Sequence, residues 1–142
     1  MGYYYDRRTL DLDITDLRMK DNVYDIIVCN HVLEHIPDDI RAMKEIYRVL
    51  KPGAWAILQV PYSAVLKNTF EDSAIVKPSE RAKYFGQSDH VRIYGKDYVQ
   101  RLKAAGFNVE LFNPINEDWG KEYINNYALN SKEDLFIAHK PI

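Results

Sequence analysis

Cysteine is almost absent from this chain: its 142 residues include one, Cys29. A lone cysteine excludes an intrachain disulfide framework and fits a reducing compartment, so a cytoplasmic location is expected. No apolar run approaches the roughly 20 residues that cross a bilayer. The opening Met-Gly-Tyr-Tyr-Tyr-Asp-Arg-Arg lacks the apolar core of a signal peptide. Excess positive charge is missing too, with 19 Lys and Arg against 21 Asp and Glu. That balance leaves no footprint for nucleic acid and no polybasic patch for a membrane. Repeats and low-complexity tracts are absent. Glycine is scarce, six in all, and no two stand in Gly-x-Gly spacing.

What is present suits one folded domain spanning residues 1–142, with 46% hydrophobic and 28% charged residues. Tyrosine is abundant at eleven, and Tyr3, Tyr4 and Tyr5 sit together, suggesting an edge or an interface. Residues 9–14 (TLDLDI) alternate apolar and acidic side chains, the pattern of a strand with one wet face. Residues 24–29 (YDIIVC) contain an unbroken apolar run, as in a strand covered on both faces. Asp38 and Asp39 after Pro37 open a helix, whose stripe is Ile40, Met43, Ile46, Tyr47 and Leu50 and whose stop is Pro52-Gly53. Residues 55–60 (WAILQV) give a second buried strand. Residues 62–94 show no clear period and are expected to be a lid or acceptor-pocket loop. Gly95 precedes a second helix carrying Tyr98, Val99, Leu102 and Ala105 on one face, capped by Gly106. Residues 107–112 and 134–139 read as two final strands, antiparallel because no helix joins them.

Residues 24–61, YDIIVCNHVLEHIPDDIRAMKEIYRVLKPGAWAILQVP, resemble the second half of class I S-adenosylmethionine-dependent methyltransferases, notably the type 11 group. Asp13-Ile14-Thr15-Asp16-Leu17 upstream, and Phe85-Gly86-Gln87-Ser88-Asp89-His90 and Ala105-Gly106-Phe107 downstream, match the family in order and spacing. The resemblance implies a Rossmann-like, mostly parallel α/β sheet, truncated on its N-terminal side and closed by an antiparallel pair. The family's sheet order is 3-2-1-4-5-7-6. Its Gly-x-Gly-x-Gly loop has no counterpart here, and Ala54 replaces the second glycine of its Lys-Pro-Gly-Gly turn. The acid that binds the cofactor ribose has only Asp6 as an early candidate.

Residue by residue, the resemblance implies that Asp13 accepts a hydrogen bond from the adenine amino group and that the Ile14 amide meets the ring edge. An ionised aspartate is acceptor-only, which suits that amino donor. Asn30 and His31 follow a strand end, where open α/β sheets place ligands. The family sets this turn against the amino-acid part of the cofactor, with His31 turned toward the methyl acceptor. His90 is a candidate general base, and His35 reads as a packed structural residue. The implied reaction is methyl transfer from S-adenosylmethionine to a small-molecule acceptor, with weak or no cofactor binding by this chain alone.

Two rival readings remain at this point. His31-x-x-Glu34-His35 also fits the H-x-x-E-H zinc-hydrolase pattern, although no resident metal is expected on the methyltransferase reading. Alternatively the chain is an inactive fragment, pseudoenzyme or subunit that acts by association. A bare apolar edge at residues 24–29 would either mediate homodimerisation or take residues 9–14 as a re-docked strand.

Overall fold

A computed structural model describes residues 10–120, 122, 126, 130 and 132–142. Thr9, Asp6 and the tyrosines at 3–5 lie outside the described residues. The elements are β1 (Tyr24–Asn30), α1 (Asp39–Val49), β2 (Leu50–Gln59), β3 (Phe70–Glu71), α2 (Pro78–Phe85), β4 (Arg92–Ile93), α3 (Tyr98–Ala104), β5 (Asn108–Phe112) and β6 (Leu135–His139). The main sheet has the order β1-β2-β6-β5. β1 pairs with β2 in parallel, while β6 lies antiparallel to both β2 and β5. Three strands therefore run one way and the last strand runs against them. This is the 4-5-7-6 portion of the order expected from the resemblance.

α1 forms for local reasons. The Asp38 carboxylate accepts from the Arg41 amide at 3.0 Å, capping the free first turn. Ala42, Met43, Ile46 and Val49 return at helical spacing and are buried against the sheet. The helix ends at Val49, three residues before the expected Pro52 stop, because Leu50 turns extended and pairs with Tyr24. β2, flanked by β1 and β6, buries Ala54, Ala56 and Leu58, and Val60 just past its end is buried too.

Three expectations are corrected. Residues 10–14 form no strand; Asp13 opens a turn instead, its carbonyl accepting from the Asp16 amide. Alternation supplies a strand's period but not its ladder partner, and residues 10–14 pair with no strand among the described residues. Re-docking of this segment as a strand on β1 therefore does not occur. Arg41 and Arg48 of α1 hold the following stretch by donating to the carbonyls of Thr15, Leu17 and Met19. Secondly, β1 is covered on one face only: Ile26 and Val28 are 51% and 60% exposed, while Cys29 is buried. Thirdly, residues 62–94 contain α2 and the β3–β4 ribbon. Pro78 in the first turn and Gly86 in the left-handed conformation delimit α2.

The C-terminal part of that connection is tied to the turn after β1. Arg92 donates to the carbonyls of Leu33, Ile36 and Pro37 and to Glu71, and Arg101 of α3 also donates to Glu71. Desolvation raises the Glu71 carboxyl, but these hydrogen bonds and charges override it and hold it below the ordinary glutamate value. The folded state thus binds this proton more weakly than the unfolded chain does. Its stabilising effect is full above roughly pH 4.3 and is lost as pH falls through the folded value. Urea midpoints followed from pH 6 to pH 3 should fall in acid, and Glu71→Gln should flatten part of that slope.

Gly95, between β4 and α3, is required by close approach. A Cβ there would meet the Asn68 carbonyl carbon at 2.6 Å and its oxygen at 2.7 Å. Backbone cannot yield as a side-chain tip can, so Gly95→Ala is expected to cost about 1–3 kcal/mol, measured by denaturant titration. No helix of the described residues is long and apolar enough to cross a membrane.

Candidate functional site

β1 carries the chain to Asn30, where the ladder continues as the His31 amide donates to the Gln59 carbonyl at 2.9 Å. His31 then adopts φ +54°, which turns the chain sharply from the strand into a single 3-10 turn, Leu33–His35. Such a conformation is uncommon for a residue with a Cβ. The 3-10 turn holds it in place, because Leu33 is wholly buried and anchors the chain in the core. Asn30 and His31 remain exposed at the carboxyl end of the sheet.

An apolar cleft of about 600 Å³ runs along the uncovered side of β1. Tyr24 and the run from Ile26 to Asn30 line it along the strand edge, with Leu12, Ile14, Leu17 and Met19 of the preceding segment and Ile46 and Val49 of α1 at its floor. Ile14 and Asn30, picked out separately in the sequence, therefore share one cavity. Leu12 also borders a second, more polar hollow lined by Asp11, Asp13, Asp16 and Arg18. Asp13 thus stands at the rim and not on the cleft wall. Its Oδ1 accepts from the Thr15 hydroxyl at 2.7 Å and from the Thr15 amide at 2.8 Å. The Thr15 side-chain hydrogen bond, followed by the backbone one, holds the Asp13 carboxyl below the usual aspartate value. Asp13 is consequently an ionised acceptor at neutral pH.

His31 and His90 do not line this cleft. The His31 Nδ1 stands 3.5 Å from the Glu34 carboxylate. His90 is 4% exposed, with its Nδ1 3.1 Å from the Phe85 carbonyl and its ring edge-on to His35. The structure thus seats the loop histidine inside the protein, where a general base would need a path to substrate. His31, Glu34 and His35 span a strand end and a 3-10 turn, so the H-x-x-E-H residues do not share the α-helical face on which that zinc pattern rests. Glu34 has no place in the methyltransferase site that the resemblance implies. It is 1% exposed and lies between the histidines. The sequence signal for that grouping is H-x-x-E-H itself, joined by a histidine that only the fold brings near.

Comparison with known proteins supplies a family. A demethylmenaquinone methyltransferase of Lactiplantibacillus plantarum is 37% identical over 62 residues, covering 44% of this chain and 23% of that protein. A ubiquinone biosynthesis O-methyltransferase of Marinobacter nauticus is 27% identical over 129 residues, covering 78% and 49%. The chain therefore spans half or less of the length of these curated relatives. Among solved structures, the fold matches phosphoethanolamine N-methyltransferase 2 of Haemonchus contortus, a complex with phosphomonomethylethanolamine and S-adenosylhomocysteine. That match has a TM-score of 0.53 at 18% identity and covers 92% of this chain and 36% of the other. At that identity the likeness bears on the fold alone. A family model described as "Methyltransferase domain" matches residues 5–111, most of the chain. With the strand order and the resemblance of residues 24–61 pointing the same way, the chain belongs to the methyltransferase-domain family.

Proposed function

We propose that this chain supplies the adenine and strand-end side of an S-adenosylmethionine crevice, for methyl transfer to a small-molecule acceptor. The observation that carries the reading is the open apolar cleft beside β1, with Ile14 and Asn30 in its lining and an ionised, acceptor-only Asp13 at its rim. S-adenosylmethionine supplies a methyl group already activated by its sulfonium, and S-adenosylhomocysteine leaves. The residues here then need only bind and orient: Asp13 accepts from the adenine amino group, the Ile14 amide meets the ring edge, and Asn30 offers its side-chain amide to the amino-acid end. Proximity accounts for much of the rate in such a reaction. The residues fit the cofactor in part: this sequence has no glycine-rich loop, and Asp6, the early candidate for the ribose acid, lies outside the described residues.

Calorimetric titration with S-adenosylmethionine tests the reading on this chain and on a form extended upstream. Binding by the extended form and not by this chain is expected; equally tight binding by both would overturn the account of an incomplete pocket. In the extended form, Asp13→Ala should weaken binding by about 10–100-fold, the loss of one hydrogen bond to a charged group. Among acceptors, a demethylmenaquinone is the first to try, because a relative's name contains it.

A second reading rests on the exposure of Ile26 and Val28. An apolar strand with an unpaired edge recruits another strand, and homodimerisation through residues 24–29 would use the same surface. Sedimentation separates the two: a dimer that dissociates on Val28→Lys favours association, and a monomer at all concentrations excludes it.

A further inference from the structure

On the far side of the turn from the cleft, Glu34, His35 and His90 each point a ligand-type atom at the others, all within 4.8 Å of one another. We propose that these three residues bind one divalent transition-metal ion of the zinc class. The case rests on the direction of the protons. The His90 Nδ1 faces the Phe85 carbonyl, which can only accept, so Nδ1 carries the hydrogen and Nε2 presents a lone pair. The His35 Nδ1 faces the Asp89 carboxylate at 3.4 Å, and its Nε2 points at the Glu34 Oε1, 3.9 Å away. Both Glu34 oxygens and the His90 Nε2 are buried with no hydrogen-bond partner among the described residues.

Two imidazoles and a carboxylate thus converge with both Glu34 oxygens and the His90 Nε2 buried and unpartnered, which is costly unless a cation sits there. The surroundings match those of a metal site. Ligating histidines commonly give their other ring N–H to a carboxylate or a backbone carbonyl, and Asp89 and Phe85 fill those two roles. Two nitrogens and one oxygen suit zinc. Closing the ligand atoms to the ~3.4 Å separations of a tetrahedral zinc site takes movements of about an ångström. This ligand set differs from the H-x-x-E-H hydrolase pattern, since Glu34 becomes a ligand and His90 takes the place of His31. It does not depend on the cofactor reading.

The test is metal content by mass spectrometry after dialysis, together with Co²⁺ titration followed by absorption in the visible. The expected result is one equivalent of zinc per chain and an intense tetrahedral Co²⁺ spectrum. His90→Ala and Glu34→Gln should abolish both, and His31→Ala should keep the stoichiometry. Because a buried variant can fail to fold, Asp89→Asn at the surface is the second arm, with metal affinity expected to drop about 10–100-fold. Folded wild-type protein that retains no zinc and gives no tetrahedral spectrum would overturn the proposal. So would stoichiometric binding that survives in folded His90→Ala.

Discussion

Asp39→Ala should lower the melting temperature by about 6–20 °C, the largest effect expected of any single side-chain truncation here. Asp39 is 3% exposed and accepts from the Arg101 guanidinium at 3.0 and 3.1 Å and from the Tyr94 hydroxyl at 2.8 Å. The Arg92 guanidinium, itself buried, stands 3.8 Å away. Burial first, and the Asp39 charge next, push the Tyr94 phenol well above its usual value, so it remains a neutral donor throughout the accessible pH range. Removing the carboxylate takes from Arg101 and the buried Arg92 one of the two acids they share, with Glu71 remaining, and breaking a buried pair costs about 3–5 kcal/mol. For a chain of this size each kcal/mol shifts the midpoint by roughly 2–4 °C. Tyr94→Phe removes one hydrogen bond and should cost about 1 kcal/mol. The double variant should lose less than the sum, because the two groups meet. A loss below 1 kcal/mol for Asp39→Ala, by calorimetry, would mean that water replaces the carboxylate and that the cluster does not join α1, α3 and the 62–94 connection.

The same cluster shows where the sequence was informative and where it was not. Asp39 reads correctly as an acid in the first turn of α1, because capping and dipole effects are local. Its partners Tyr94 and Arg101 come from distant elements that no local period connects to it. The α/β class and the antiparallel pairing of β5 and β6 were legible because strands and helices alternate and no helix joins the last two strands, while the sheet order came from the family resemblance. Residues 10–14 misled for the converse reason: TLDLDI has the right period, yet a strand exists only beside another strand. α2 was missed because its eight residues bury little beyond Phe85, leaving no apolar stripe to detect, although Pro78 and Gly86 mark its ends. Of the candidate site, Asn30 and Ile14 were legible from a strand end and a family resemblance, and the structure gives both to one cleft. His90 looked like a loop base because its burial depends on Glu34 and His35, which the fold brings to it from across the sheet edge.

Cys29 should react with iodoacetamide at pH 8 about 1,000-fold more slowly than an unperturbed thiol. Burial, and to a lesser extent the Glu34 charge, push its thiol up from 9.0 to about 12. Each unit removes a factor of ten from the reactive thiolate. The side chain is 5% exposed, opposite Leu58 of β2 and at the wall of the apolar cleft, so reagent meets little of the sulfur while the strand stays docked. That makes the cysteine a reporter on the element that matters most for function. Among the described residues β1 has one neighbouring strand, and it leaves Ile26 and Val28 in solvent; edge strands belong to the parts of a protein that open at low free energy. If β1 stays docked, labelling is slow and independent of protein concentration. If a second copy covers the edge, labelling slows further as concentration rises. Labelling as fast as that of a free thiol would show β1 undocked from β2. Asn30 would then have no rigid strand to hold it at the mouth of the cleft, and the proposed crevice would lose the wall on which it is built.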